Sequence, residues 1–522
     1  MSDQQSLLTP VPAPLYIEWP ALLTALQPIL SANPQPVYLV GGAVRDALLR
    51  HPIHDLDFVS LGDGRLPARR VADHFGGAYY PLDDAREIGR AIIEFNGSKY
   101  SIDISRARGK TLLEDLQGRD FTLNAMAVAL TADMQSIIDP LGGGADIVKK
   151  IIRRCSSTSI ADDPIRALRG IRQSTAFQMM IESETRKDIR QAGERLSMTS
   201  VERVRDEFMT LLNGPRPHAA LRALDMLGLL QWIIPEIEAM RGLKQSAPHI
   251  FDVWEHTLSV IEALDGILHT ISPLRSVESA SNTADGMIVY MMDNFRQRFQ
   301  DHLAMPLPNG RTVRSLLMLE ALLHDCGKPA THSVGVDGRI HFYKHDLVGS
   351  DLAVERATAL RLSNEETVRL GNAVRNHMRP MHIHMNSIHT THVSRRTVYR
   401  FWLAAGHQAG IDICLLTLAD YLGMVGSSLS LQDWITHIQC VTPLLDGYFN
   451  RHDEIVAPAP LLTGREIMRE LDLPAGPAIG RIVRALQEAQ ASGEIATRDQ
   501  AIELARQVIE LGDEAESSDE DG

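Results

Sequence analysis

The sequence predicts an α+β protein: a small mixed head followed by an elongated, all-α body. Three features of the 522 residues lead there. Strand and helix signals are interleaved only as far as residue 155. Beyond it, apolar residues recur at helical spacing almost without interruption, as in IRALRGIRQSTAF, VERVRDEFMTLL and HAALRALDMLGLLQWI. The length corresponds to about three or four average domains, more than one core organises.

The composition, 44% apolar and 23% charged, excludes a disordered or collagen-like chain. No apolar run approaches the ~18 residues that span a bilayer, and the opening MSDQQSLLTP has neither a basic segment nor a hydrophobic stretch. A secreted or membrane-spanning protein is therefore not expected. Cys155, Cys326, Cys414 and Cys440 are too few and too scattered for a disulfide framework or a C-x-x-C zinc site, which points to a reducing cytoplasm. The formal charge of −14 argues at first against nucleic acid as a partner. Its distribution weakens the objection. The last ten residues, DEAESSDEDG, carry six acids and no base, whereas residues 1–215 hold 25 bases and 27 acids.

Residues 15–32 read as an opening helix ended by Pro34 and Pro36. VYLV (37–40) is a short buried strand, GG breaks it, and AVRDALLR (43–50) has helical spacing. DLDFVS (55–60) alternates as a strand does. AIIEF (91–95) and KYSIDIS (99–105) flank NGS, a hairpin signal. The head thus spans 1–155 and a helical neck 156–246. A helical domain follows over 247–425, interrupted at about 270–312 by SPLRSVESASN and PLPNGR around a Met-rich stretch, which reads as an insertion. A C-terminal helical segment covers 426–510, and 511–522 form a solvated, disordered acidic tail.

The densest chemistry lies in VYLVGGAVRDALLRHPIHDLDFVS. Gly41 and Gly42 let the backbone approach a ligand closely, and the N–H groups of the helix that starts there attract phosphate. Arg45, one turn in, can clasp a triphosphate. Asp55 and Asp57 stand at i and i+2 of a strand and so share one face. Two acids held together repel, and Mg²⁺, which binds through one or two carboxylates plus substrate phosphates, is the usual remedy. Asp103, between Ile102 and Ile104 on a later strand, supplies a third acid. Three carboxylates around two metal ions suit nucleotidyl transfer. A D-x-D beside a turn is by itself more often a solvated loop. The order strand, Gly-Gly, Arg, Asp-x-Asp favours chemistry.

GGAVRD followed by DLD resembles the signature of the class II tRNA nucleotidyltransferase and bacterial poly(A) polymerase family, within the DNA polymerase β-like superfamily. Four further motifs resemble the family's in order. GRDFTLNAMA (118–127) is similar to the ribose- and triphosphate-contacting motif, which implies roles for Arg119, Asp120 and Asn124. DPLGGGADI (139–147) resembles the hinge between head and neck. ADDPIRALRGIR (161–172) resembles the base-reading helix, with Asp163, Arg166, Arg169 and Arg172, and SVERVRDEF (200–208) the helix bracing it. Asp163 and Arg166 are three apart and are expected on one helix face. On the residues alone they read as a surface ion pair at a helix start. The resemblance makes them a protein template that selects CTP and then ATP. Two departures stand out. Gly118 occupies a position where the family commonly has the first of two arginines. The segment between Asp103 and Arg119, containing SRARGKTLLEDLQG, is short, where members that switch from C to A need a flexible loop and CC-only relatives have it shortened.

In the body, HDCGK (324–328) follows the helical run LLMLEALL, so His324 and Asp325 at a helix end can both ligate a divalent ion. His256 (in DVWEHTL) and Asp420 (in TLADYLG) lie on other helices. This set resembles the HD phosphohydrolase superfamily, and His345 (FYKHDLVG) and His377 (VRNHM) stand where two-metal members carry extra ligands. The cation of such a site activates water for attack on a phosphoester. A lone histidine is more often a buried packing residue; the ordered set favours a metal centre. His382, His384, His389 and His392 in HIHMNSIHTTH could trap a transition metal, but an exposed polar loop is the plainer reading. Cys326 reads as a bystander.

The resemblance therefore implies an enzyme that adds CMP, CMP and AMP to the 3′ end of tRNA from CTP and ATP. Mg²⁺ would sit in the head, and a divalent ion of unspecified identity in the body. The terminal hydroxyl would lose its proton near Asp103. Arg153, Arg154 and Arg203 would hold the acceptor arm by shape and phosphate contact. Alternatives are A-only or CC-only addition, poly(A) synthesis, or an HD-type phosphohydrolase as the main activity. No membrane is expected, and the oligomeric state is not legible.

Overall fold

The computed structural model describes residues 8–53, 55–131, 134–274, 283–387 and 393–519. The chain folds as two compact units, residues 1–207 with 223–233, and residues 208–222 with 234–522.

The first unit is built on a six-stranded sheet: β1 (Val37–Val40), β2 (Asp55–Ser60), β3 (Ala78–Asp83), β4 (Ile88–Phe95), β5 (Ser98–Arg106) and β6 (Ala127–Ala129), in the order β3-β4-β5-β2-β1-β6. Strands β2 and β5 pair in parallel, and every other neighbouring pair is antiparallel. Alternation decides what each face carries. Leu56, Phe58, Ile102 and Ile104 are buried in the larger apolar core with Leu22 and Leu26 of helix Ala21–Ser31 and Val71 of helix Arg65–Phe75. Asp55, Asp57 and Asp103 therefore project from the opposite face, where Val40, Val59, Leu112, Leu116 and Ala127 form a smaller core. Burying one such Leu or Ile contributes about 1.5–3 kcal/mol. A one-residue slip would put aspartates in their place, so the register is strongly specified.

The hairpin expected at NGS is present. Phe95 pairs with Ser98 across Asn96 and Gly97, whose φ values are 51° and 76°. Two successive left-handed residues match the twist of the flanking strands, a conformation Asn-Gly adopts at little cost. The opening helix is shorter than 15–32: it begins after Pro20 and ends at Ser31. Strand pairing also continues past residue 155, since Met180–Ile181 runs parallel to Ile151–Ile152.

The second unit is mostly helical, with a two-stranded hairpin, His332–Val334 against Ile340–Phe342, that interrupts the all-α body expected from periodicity. The segment read as an insertion is built into the core. Helices Thr283–Met292 and Arg296–Ala304 bury Ile288 and Phe299, and His302 Nε2 lies 2.8 Å from Asp412 Oδ1; residues 275–282 of this segment are outside the described residues. Among the described residues, Gly410–Ser428 is the one helical stretch long and apolar enough to cross a bilayer, contrary to the sequence reading. Its apolar window is 72% buried within the fold, as a helix packed on all sides is. Of the stretch 382–392, expected as a loop, residues 382–387 belong to helix Arg379–Ser387, with Pro380 in its first turn, where proline is tolerated. Its His384 is buried against Tyr421 and His437, and His382 is exposed; His389 and His392 lie outside the described residues. Helix Arg498–Asp519 carries helical backbone into the expected disordered tail, because Glu and Ala are strong helix formers.

Candidate active site

Parallel pairing sets Asp57 opposite Asp103 and Asp55 opposite Ser101, so all three acids gather on one face. Burial pushes the pKa of Asp57 up, and the charges of Asp103 and Asp55 push it further, against Arg119 and Arg90. A divalent cation relieves that repulsion, so these residues fit the metal that the sequence resemblance implies. Asp103 is held by Arg90, its partner on β4, with Nε donating to Oδ1 and Nη2 to Oδ2, each at 2.7 Å.

Asp55 and Asp57 line a cavity of about 430 Å³ with Gly41, Gly42, Arg45, Arg108, Arg119, Asp120, Asn124, Asp163, Arg166, Arg169 and Arg172. Asp103 flanks it. Gly41 has φ 75°, and a Cβ there would lie 3.0 Å from Arg119 Nη1 and 3.9 Å from Asp57 Oδ2. The glycine thus both permits the turn and keeps open the gap between carboxylate and guanidinium.

The cations on the wall are held by neighbours. Arg45 makes a two-point ion pair with Asp46, donates to Asn124 Oδ1 at 2.7 Å, and lies 4.7 Å over the Phe177 ring. Arg119 pairs with Asp115 at 2.9 Å, and Arg172 donates to Glu207 at 2.6 Å. Asp120 is buried and accepts from the Phe121 N–H and the Asn124 amide, with Arg169 at 2.9 Å. Burial alone would raise its pKa, but Arg169 and these hydrogen bonds bring it below the usual carboxylate value.

Asp163 and Arg166 do not share a helix face as expected. Asp163 is extended (φ −144°, ψ 95°), and helix Ile165–Phe177 begins after it. The cause is Pro164, which disfavours helical backbone in the residue before it. Asp163 is paired with Arg203 at 2.8 Å. Arg166 donates to the carbonyls of Gly118 and Arg119 and to Ser159 Oγ, each at 2.9 Å. Both residues still line the cavity. The basic residues expected to hold RNA are likewise engaged: Arg153 with Asp146, Arg154 with Asp188, Arg203 with Asp163.

Arg90 and Arg108 were not singled out from the sequence. An isolated arginine on a strand or loop has no periodic signature; only register and cavity walls reveal it.

In the second unit, two triads assemble from separated segments: His256, His324 and Asp420, and Asp325, His345 and His377. Within each triad the donor atoms lie within 4.8 Å of one another. Asp325 joins them. Its Oδ2 lies 3.2 Å from His324 Nε2 and 3.5 Å from His256 Nε2, and its Oδ1 lies 3.5 Å from His345 Nε2. His324, His345 and His377 each donate Nδ1–H to the carbonyl three residues back, at 2.8, 2.8 and 2.6 Å. That fixes the tautomer and leaves Nε2 as a lone pair. The Nε2 atoms of His345 and His377 then face each other at 3.3 Å. Burial, with His324 and His345 nearby, holds His377 neutral, its pKa lowered to about 4. Two lone pairs at that separation call for a shared cation, so the donor set fits a metal. Gly327 lets its segment lie against the start of helix His345–Ala359, since a Cβ there would lie 2.1 Å from the His345 carbonyl oxygen. Lys328 and His249 border the cluster and were missed in the sequence. Lys328 Nζ lies 2.6 Å from Asp325 Oδ2 and 2.7 Å from Gln245 Oε1. His249 packs edge-on against His256, its pKa pushed down to about 4 by burial, Lys328 and His256.

Comparison with known proteins agrees with this geometry. The poly A polymerase head domain matches residues 37–153, and the domain described as the probable RNA and SrmB-binding site of polymerase A matches 178–241. The A-adding tRNA nucleotidyltransferase of Deinococcus radiodurans is 31% identical over 91% of this chain and 96% of its own length. The CC-adding tRNA nucleotidyltransferase of Thermus thermophilus is 28% identical over 90% and 93%. A solved CCA-adding enzyme has the same fold, with a TM-score of 0.59 over 92% of both chains at 20% identity. With a full-length relative at 31% identity and both domains matched in order, this chain belongs to the tRNA nucleotidyltransferase and poly(A) polymerase family.

Proposed function

We propose that this chain is a template-independent nucleotidyltransferase that extends the 3′ end of tRNA with CMP, CMP and AMP from CTP and ATP, releasing pyrophosphate. The observation that carries it is the register of Asp57 with Asp103 across β2 and β5, with Asp55 on the same face beside an arginine-walled cavity. In this reading Asp55 and Asp57 hold Mg²⁺, which when bound neutralises the triphosphate. The terminal hydroxyl gives up its proton beside Asp103. Gly41, Gly42, Arg45 and Arg119 take the triphosphate, and Asp120 and Asn124 set the ribose edge. Asp163 and Arg166 read the base once they release Arg203 and the 118–119 carbonyls, with Arg169 and Arg172 bracing them. The setting is a reducing cytoplasm, in keeping with four free thiols. The test incubates the protein with tRNA lacking its terminal nucleotides, Mg²⁺ and labelled CTP and ATP, separately and together. Incorporation is expected; its absence overturns the proposal, and Asp57→Ala should abolish it.

A second reading, addition of the terminal A alone, is favoured by the identity to an A-adding relative over 91% of the chain. AMP incorporation confined to tRNA ending in CC, with no CMP incorporation, would select it. The six-ligand cluster of the second unit supports an HD-type, metal-dependent phosphohydrolase as an additional activity. Asp57→Ala should leave any hydrolysis of a 2′,3′-cyclic phosphate intact.

A further inference from the structure

The motif GRDFTLNAMA opens with Gly118, one guanidinium short of the pattern it resembles. The backbone does not require glycine there: φ is −76° and ψ −4°, ordinary helical values. A Cβ at Gly118 would lie 3.3 Å from the Glu114 carbonyl oxygen, 3.6 Å from that of Asp115 and 3.7 Å from Cδ of Arg108, the nearest side-chain atom. The Arg108 side chain crosses over the glycine, and its Nη1 donates to the Gly118 carbonyl at 3.1 Å. Its backbone N–H donates to Asp115 Oδ1 at 3.0 Å, while Arg119 Nε donates to Oδ2 of the same carboxylate at 3.0 Å. Arg166 Nη2 reaches the same Gly118 carbonyl at 2.9 Å. One carboxylate and one carbonyl thus collect three guanidiniums on the wall of the cavity that holds Asp55 and Asp57.

Like charges so gathered oppose one another. Burial, then Arg119 and Arg166, lower the pKa of Arg108. The bond to Gly118 uses one of five N–H donors, and an anion in the cavity would both engage the others and relieve the repulsion.

We propose that Arg108 is a triphosphate-binding residue of this chain, occupying the volume that Gly118 leaves open and supplying from the exit of β5 the cation missing at position 118. The inference rests on the nucleotidyl-transfer reading of the cavity. Its test reads inorganic tripolyphosphate binding directly, so failure of that reading, seen as no incorporation by the wild type, is distinguishable from failure of this one. Arg108→Ala should weaken tripolyphosphate binding about tenfold or more, the scale of a lost charge-assisted hydrogen bond. It should raise the KM for nucleoside triphosphate by the same factor and leave the KM for tRNA and the affinity for nucleoside monophosphate within twofold. Arg108→Gln keeps a donor for the Gly118 carbonyl and removes the charge, and should lose tripolyphosphate equally even if the alanine variant does not fold. Arg108→Ala combined with Gly118→Arg should recover tripolyphosphate affinity to within about threefold, as two cations in one place are interchangeable. Unchanged tripolyphosphate binding in a folded variant, or equal losses for tripolyphosphate and monophosphate with a lowered Tm, would overturn the assignment.

Discussion

Arg90 and Asp103 are register partners on β4 and β5, and the guanidinium meets both carboxylate oxygens at 2.7 Å. This two-point contact fixes the side chain of Asp103 beside Asp57, where a single bond would leave it free to rotate.

Arg90→Met should therefore slow incorporation about tenfold, a loss of roughly 1.4 kcal/mol of transition-state stabilisation. The KM for nucleotide should change by less than about threefold, because ground-state binding is not what is lost. Arg90→Lys, a charge without a fork, should fall between. Steady-state kinetics on the three proteins decide it; an unaltered kcat in Arg90→Met would remove Arg90 from the site.

The opposed lone pairs of His345 and His377 predict a thermal response to metal. Dialysis against a chelator should lower the Tm, and returning Mn²⁺ at about 100 times its Kd should restore about 2.7 kcal/mol, several degrees. In His345→Ala the response should shrink sharply. Differential scanning fluorimetry with metal analysis of the dialysed protein measures both.

Glu320 is buried with no hydrogen-bond partner for either oxygen among the described residues. Burial, and then Asp412, push its pKa well above the usual value. The folded form keeps the proton while the unfolded chain releases it above about pH 4.3. This group's contribution to stability therefore falls as pH rises from there toward the folded pKa. Glu320→Met, of similar length and apolar, should be more stable than the wild type at pH 8 by about 1–2 kcal/mol. The margin should narrow toward pH 5, as urea unfolding at the two pH values would show.

The opposite sign holds at Glu366, buried in a two-point pair with Arg311 at 2.8 and 2.9 Å. Burial alone would raise its pKa, but Arg311 and the Ser363 N–H hold it below the usual range. The stabilisation is thus present above about pH 4.3 and lost as pH falls through the folded value. Arg311→Ala strands the carboxylate and should cost about 3–5 kcal/mol at pH 7. The cost should diminish below pH 4 as the acid takes up a proton.

Much of the head was legible because Leu56, Phe58, Ile102 and Ile104 alternate with Asp57 and Asp103, so period two revealed strand and face together. The residues of the two triads were legible as His and Asp at the ends or on the faces of helical runs. Strand β3 was not, since it is largely exposed and contains Pro81, and pairing with β4 rather than pattern makes it a strand. Asp163 was misplaced although Pro164 carried the signal in plain sight. Lys328 is held by Gln245, 83 residues away, and Arg108 by a loop contact to the Gly118 carbonyl, neither of which a periodic pattern encodes.

The tight turn at Asn96 and Gly97 acts as a ruler for the strand that leaves it. Deleting one residue between the turn and Asp103 would reverse parity, setting an isoleucine beside Asp57 and driving the acid into the greasy side. Deleting two would restore the facing but shift the acid roughly 7 Å along the strand, beyond reach of its neighbour. Evolution can lengthen this hairpin only in even steps and only where the acid does not travel, so its short inner arm should be among the stretches least tolerant of insertion.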